Sequence, residues 1–375
     1  MSLKFNYNKD LPKVTELKAD YLRNQVIRIK NIFQPEQKSK EWYEMRNTML
    51  TASDWGTILG ENHYSTPNQV LLKKCGDDAF FTNAAMQWGN KYENVAVQIY
   101  EYRNNVEILE FGCLKHPFIS FLGASPDGIT KEGVMLEIKC PTSRKITGEP
   151  PSYYWCQVQG QLEVCELDRC DFLECSIKEY SNEDEYIADN FEGDYKMNKF
   201  GNEKGLVAEY YKKNDKTFFF EYIPICIIEN DLDEYKKRYS NKYIDSPDII
   251  FSSFYYWYLE EVSCVPIYRN QEWFQKSRIE LEFFWNKVLK YRELGLDKLR
   301  EDIQKEKDDK KEDKKREKEN TKKDDNKKQK KIKEFINLTE IKNETIIEMN
   351  NSTEISSDSD SDDIMLNMSV SMFSD

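Results

Sequence analysis

The sequence predicts a mixed α/β fold. Three observations carry that expectation: helical periodicity before residue 101, a cluster of short apolar runs over 106–140, and a second helical pattern over 153–165. Residues 40–49 and 53–59 read as helices, with Ser53 as the N-cap of the second because Ser-Asp precedes an apolar-periodic run. Trp88, Tyr92, Ala96, Ile99 and Tyr100 recur at three- or four-residue steps. That spacing gives a helix over 84–101 an apolar face and leaves Glu93 beside it. Residues 106–113, 118–124 and 134–140 are apolar runs with β-branched or aromatic content, separated by His-Pro, Pro-Asp-Gly and Lys-Glu-Gly turn signals. Their lengths suit a small mixed or antiparallel sheet, on which a helix over about 153–165 packs.

The chain of 375 residues is 39% hydrophobic and 13% aromatic, enough for a real core. No apolar run approaches the ~20 residues that cross a bilayer, and MSLKFNYNKDLPK at the start lacks the apolar segment of a secretory signal. An intracellular, non-secreted protein without a membrane partner is therefore expected. Nine cysteines contain no CxxC pair and there are two histidines, so a zinc site is disfavoured. Four cysteines between 156 and 175 match no usual iron–sulfur ligand run and read as buried reduced thiols.

The formal charge is -13, and residues 1–296 keep about -9 of it. A basic nucleic-acid coat is excluded, so any DNA contact has to come from a local cationic groove. Acidic chains nonetheless suit sites that hold divalent metals with carboxylates, because the metal supplies the positive charge facing a phosphate.

Along the chain we expect an N-terminal extension over 1–39, a core over 40–180, and a C-terminal part of the folded body over 181–295 that is rich in Tyr, Phe and Trp. No chemistry is assigned to the last of these. A charged helix or linker and an acidic disordered tail follow over 296–375. Residues 297–334 carry 17 Lys or Arg against 13 Asp or Glu, a pattern for a solvated helix with i,i+4 ion pairs. The run SSDSDSDD over 356–363 reads as a disordered acidic tail and a candidate for phosphorylation. No internal repeat at 20–50 residues is present.

The segment that carries chemistry is Ser125-Pro126-Asp127-Gly128, followed ten residues after the Asp by Glu137-Ile138-Lys139. Asp127 stands at a strand turn, while Glu137 and Lys139 alternate along the next strand and point to one face, close enough to share a metal and a phosphate. Mg²⁺ takes one or two carboxylates plus waters and substrate phosphate. The metal acidifies a bound water and stabilises charge on the phosphate, and the Lys139 ammonium orients the water or offsets developing charge. Taken alone the pattern is weak, since Asp-Gly is a turn signal and Glu-x-Lys on a strand is an ordinary charged face.

The surrounding blocks add order and spacing. Glu41-Trp42 through Arg46 with Leu50-Thr51-Ala52-Ser53, Trp88-Gly89-Asn90-Lys91-Tyr92-Glu93, Ala124 to Gly128, Leu136 to Pro141, and Tyr153 with Gln157-Val158-Gln159 occur in that sequence. Together they resemble the lambda-exonuclease and YqaJ-like viral recombinase family of PD-(D/E)XK nucleases over roughly residues 40–175.

The resemblance implies a restriction-endonuclease-like core, a central mixed sheet flanked by helices. It implies a Mg²⁺-dependent deoxyribonuclease, with Mn²⁺ as an alternative ion, that digests double-stranded DNA ends 5′ to 3′ to leave single strands for viral recombination, replication or repair. Asp127, Glu137 and the Ile138 carbonyl resemble its metal ligands, Lys139 its catalytic lysine, Glu93 a carboxylate reaching a second metal, and Gln157 its active-site glutamine. Arg46 and Ser53 resemble its 5′-phosphate pocket. The partners implied are DNA ends, a single-strand annealing protein and further copies of the chain, in host cytoplasm, nucleus or virion.

An arginine fork and a Ser-capped helix N-terminus suit a phosphate on physical grounds too. Plainer readings stay open at this stage: a surface ion pair for Arg46, a simple cap for Ser53, an i,i+4 partner for Glu93, a buried amide for Gln157. Two other functions also stand beside the exonuclease, an endonuclease of the same fold and a non-catalytic DNA-binding or virion protein that keeps it.

Overall fold

The computed structural model describes residues 16–76, 83–225, 227 and 231–351. Cys226 and the run over 356–363 lie outside them. The chain divides into two compact units, residues 1–300 and 301–375.

The first unit begins with α1 (Glu16–Lys30), α2 (Lys40–Asn47), β1 (Leu50–Thr51), α3 (Ala52–Ile58), α4 (Pro67–Lys74) and α5 (Ala84–Asn104). Five short strands follow: β2 (Ile108–Leu109), β3 (Leu114–Lys115), β4 (Leu122–Ala124), β5 (Gly128–Thr130) and β6 (Val134–Lys139). Then come α6 (Ser152–Cys165), β7 (Arg169–Glu179), α7 (Glu183–Ala188), β8 (Lys204–Lys212), β9 (Thr217–Tyr222), α8 (Leu232–Ser240), β10 (Ile249–Tyr268) and α9 (Gln271–Leu294).

Seven strands form one mixed sheet in the order β2-β5-β6-β7-β10-β8-β9, and β1-β4-β3 form a small second sheet. β6 and β7 run parallel, joined by the crossover helix α6, while the other neighbours in the large sheet are antiparallel. The expected mixed sheet between helices is present. It is larger than the local strand pattern suggested, because the aromatic-rich stretch after residue 180 supplies β8, β9 and β10. β10 is 20 residues long and pairs with β7 through one half and β8 through the other, with a register shift in each ladder. Such bulges bend a strand, which lets one segment serve two partners.

Alternation along β6 divides the core. Leu136 and Ile138 join the cluster under α5, with Tyr92, Val95, Ala96, Ile99 and Tyr100. Met135 joins the opposite cluster, with Val158 and Leu162 of α6 and Leu22, Val26 and Ile29 of α1. Each large apolar side chain so buried contributes about 1.5–3 kcal/mol, so the two helical faces fix the sheet between them. By the same alternation Glu137 and Lys139 fall on the α6 side.

Three local expectations are corrected. The 53–59 helix begins at Ala52, and its N-cap is Thr51: the Thr51 backbone N–H donates to Asp54 Oδ2 at 3.2 Å, completing a capping box. Ser53 is thereby displaced into the first turn and left exposed. Gly128, read as part of a turn, opens a strand over Gly128–Thr130 that pairs with both β2 and β6. The run over 118–124 shortens to three paired residues, because His116 Nδ1 accepts from the backbone N–H groups of Phe118 and Ile119 and bends the chain there.

Helix α10 spans Leu296–Asn351. In the second unit its surface carries i,i+4 ion pairs, Lys310–Glu306 at 2.6 Å and Arg316–Glu312 at 3.6 Å, as its charge pattern predicts.

Candidate active site

Two glycines set the stage. A Cβ at Gly160 of α6 would meet the Ala52 Cβ and the Trp55 ring at 2.9 Å, and one at Gly56 of α3 would meet the Tyr153 backbone at 2.8 Å. Only residues without a Cβ let α3 and α6 approach so closely. The approach brings Ser53 into a cleft that Glu93, Lys139 and Gln157 also line.

Glu137 is the centre of the arrangement and is 0% exposed. Gln157 Nε2 donates to its Oε1 at 2.6 Å, Gln161 Nε2 donates to its Oε2 at 2.6 Å, and the Lys139 ammonium donates to Oε1. Both glutamines come from α6, four residues apart and hence on one face. The Asp127 carboxylate accepts from the Ile138 backbone N–H at 2.7 Å through Oδ2, which ties the turn before β5 to the neighbouring strand. Ile138 itself is held in register by its pairing with Leu173 of β7.

Charge is unbalanced here. Burial pushes Asp127 well above the usual carboxylate range, Glu137 and Glu93 add to it, and Lys139 with the Ile138 N–H does not offset them. Burial also raises Glu93, against the pull of Lys38 and Lys139. Burial alone would lower the Lys139 ammonium, but the Glu137 and Asp127 carboxylates outweigh it and hold the group above its ordinary value. The carboxylates Glu93, Asp127 and Glu137 therefore outnumber the ammonium groups that reach them, Lys139 and, for Glu93, Lys38.

The second group of expected residues lies next to the first. Arg46 donates to Ser53 Oγ at 3.1 Å, to Thr51 Oγ1 at 3.3 Å and to Ser125 Oγ at 3.2 Å, and its guanidinium lies 4.3 Å from the Trp42 ring centroid. Its hydrogen-bond partners are neutral hydroxyls, so the surface ion pair of the plainer reading is not what holds it. Ser125 stands two residues before Asp127 and links the two groups.

Asp127 and Glu93 also border a second cavity of about 600 Å³, lined further by Lys38, Glu101 and Glu110. The cleft on the Lys139 side has about 800 Å³. Glu93 faces both.

Oxygen donors of this kind fit a hard divalent cation, and the Lys139 ammonium stands in for its charge on Glu137. Among the described residues no group of three or more His, Cys, Asp or Glu side chains is placed to hold a metal ion.

Two residues escaped the sequence reading. Gln161 is 1% exposed and closes the second oxygen of Glu137. Its signal was present: it follows Gln157 by one helical turn. Arg144, which lines the cleft and pairs with the buried Glu174, had no local signal, since its partner lies on the next strand. Cys156, Cys165, Cys170 and Cys175 are buried and free.

Residues 41–168 match the YqaJ-like viral recombinase domain. That segment holds Arg46, Ser53, Glu93, Asp127, Glu137, Lys139, Gln157 and Gln161. An uncharacterized protein of Acanthamoeba polyphaga mimivirus is 35% identical over 344 residues, 81% of this chain and 62% of that protein. A protein of African swine fever virus is 29% identical over 164 residues, covering 35% of this chain and 46% of its own. The chain thus spans less than two thirds of these relatives. Among solved structures, the alkaline exonuclease LHK-Exo of Laribacter hongkongensis aligns at 19% identity and a TM-score of 0.39, over 71% of this chain and 99% of its own; its complex with dAMP gives 0.41. Among the described residues no helix is long and apolar enough to cross a membrane.

Proposed function

We propose that the YqaJ-like segment is a divalent-metal-dependent deoxyribonuclease that removes nucleotides from double-stranded DNA ends, 5′ to 3′, for viral recombination, replication or repair. The observation that carries this is the excess of the carboxylates Glu93, Asp127 and Glu137 over the ammonium groups of Lys139 and Lys38, beside the guanidinium of Arg46. Such an arrangement suits a cation and a phosphate arriving together.

Asp127, Glu137 and the Ile138 carbonyl would hold Mg²⁺ or Mn²⁺, with Glu93 reaching a second ion. When bound, the metal supplies Lewis-acid charge to the scissile phosphate and acidifies a water. Gln157 and Gln161 hold the Glu137 carboxylate in one orientation, so no reorganisation is needed as charge develops. Lys139 provides a fixed ammonium for the attacking water or the phosphate oxygens. Arg46 and Ser53 take a terminal phosphate through the guanidinium fork and hydroxyl, which selects ends over internal positions. Further copies of the chain and a single-strand annealing protein are the partners this role would call on.

The test is digestion of linear duplex DNA, labelled at either end, with and without 5′ phosphate, by wild type and Lys139→Ala in Mg²⁺. Loss of nucleotides from phosphorylated 5′ ends, reduced at least about 100-fold by the substitution, is expected. Cutting of closed circles would shift the reading to an endonuclease. DNA binding with no cleavage in Mg²⁺ or Mn²⁺ would sink it.

A further inference from the structure

Beyond the carboxylates, Tyr64, Tyr153 and Tyr154 form an aromatic rim to the cleft on the Lys139 side, and His63 packs against Tyr64 and Tyr153. The His63 and Tyr64 ring centroids are 4.0 Å apart, and Tyr64 is 71% exposed. Tyr153 stands edge-on to both, at 6.1 and 5.9 Å, and packs against Tyr154 at 4.3 Å. The Tyr154 ring lies 4.7 Å from the Lys139 ammonium. A continuous run of rings therefore leads from Lys139 to the outside.

The rim is held in place. Glu61 and Asn62 donate their backbone N–H groups to Gly56 O at 2.8 and 3.0 Å, Asn62 Nδ2 donates to Thr57 Oγ1 at 2.9 Å, and Tyr64 N–H donates to Asn62 Oδ1 at 3.0 Å. The loop carrying Tyr64 is thus tied to α3, and the Gly56 contact ties α3 to Tyr153. Rings fixed in this way lose little freedom when they receive a planar ligand. Asn83, Asn90, Thr142 and Ser143 line the same cleft with uncharged hydrogen-bonding groups, and Arg144, paired with Glu174, adds a cation.

We propose that His63, Tyr64 and Tyr153 form a stacking subsite for the unpaired nucleobases at the end of a DNA strand. The proposal rests on the nuclease reading above and names what that site takes beyond the phosphate. Every base presents a π-face, so such a platform accepts any sequence, while a base still paired inside a duplex cannot offer its face to it. The cations at Lys139 and Arg144 suit the phosphates that flank those bases. The neutral amides and hydroxyls suit base edges and sugar. Strand ends that fray, or that carry a 5′ overhang, are therefore preferred over blunt GC-clamped ends.

Tyr64 is largely solvent-exposed, so its substitution leaves the fold intact and the test clean. The full chain is mixed in Ca²⁺ with duplexes carrying 2-aminopurine at the 5′-terminal position of an overhang, and the same proteins are assayed for cleavage in Mg²⁺. Wild type and Tyr64→Phe should quench the fluorescence on binding. Tyr64→Ala should lose the quench and bind overhangs about 5- to 100-fold more weakly, with a smaller loss on blunt ends. Unchanged quenching and affinity in Tyr64→Ala, with wild type cutting normally, overturns the stacking subsite alone. A wild type that neither binds nor cuts ends overturns the nuclease reading and the subsite with it.

Discussion

Arg103 with Glu203, and the carboxylates around Lys139, are all charges largely withdrawn from water, yet they are balanced in opposite ways. Arg103 meets Glu203 through two parallel bonds, Nε to Oε1 at 2.8 Å and the terminal nitrogen to Oε2 at 2.5 Å, with both side chains 4% exposed. Asp54 and Lys74 are matched likewise at 3.0 Å. Around Lys139, by contrast, burial pushes the Asp127 and Glu93 carboxylates above their ordinary range and the neighbouring carboxylates add to it, more than Lys139 and Lys38 offset. Burial of charge alone does not mark a functional site, since the matched pairs are deeply buried too. The unmatched excess differs in kind, because it is costly until a counter-charge arrives from outside.

The largest expected effect tests the matched side. Arg103→Met strands the Glu203 carboxylate and should cost about 3–5 kcal/mol of stability, read from urea denaturation, while the folded fraction cleaves DNA at the wild-type rate. A drop in cleavage at unchanged stability would mean that the matched pair takes part in the chemistry, and the contrast would fail.

Next comes the unmatched side. Asp127→Asn relieves repulsion, so the metal-free melting temperature should hold or rise, whereas cleavage falls about 100- to 1000-fold. Divalent cations at about 100 times their Kd should stabilise wild type by about 2.7 kcal/mol and the variant by much less. A variant that melts lower than wild type in EDTA would show Asp127 to be a structural group like Glu203.

The contrast also explains what the sequence could reveal. Strand alternation placed Glu137 and Lys139 on one face, and the apolar stripe of α5 left Glu93 at its border; both are local patterns with a short period. Gln161 followed the same logic but required treating a helix face as a set, not a residue. The Thr51 cap was written as Thr-x-x-Asp, and Ser53 masked it only because serine is also a good cap. β5 was hidden by the turn signal of Asp-Gly, although Ile129 and Thr130 after it favour a strand. The place of β10 between β7 and β8 has no local signature at all, because it is set by partners far away along the chain. Arg103–Glu203 and Arg144–Glu174 belong to that class, and so does the balance of charge, which can be counted only after the elements have met.

The smallest effect, and the one that sharpens the contrast most, is in pH. Burial alone would raise Asp54, but Lys74, Lys73 and Arg46 outweigh it and hold the carboxyl below its ordinary value. A depressed acid stabilises the fold above its unfolded pKa, about 3.9, and that contribution is lost as pH falls through the folded value. Asp127 and Glu93 are raised, so the sign reverses: their contribution is complete below about pH 4 and is lost as pH climbs through their folded values. In EDTA, Asp54→Asn should therefore lower the melting temperature at about pH 7 and lower it less at about pH 3. Asp127→Asn should instead remove part of the decline that wild type shows as pH rises above about 4. Adding Mg²⁺ should flatten that decline in wild type and leave the acid limb unchanged, because a cation at the site relieves one kind of buried charge and has nothing to offer the other. Parallel pH curves for the two variants would mean that both carboxylates sit in the same kind of environment.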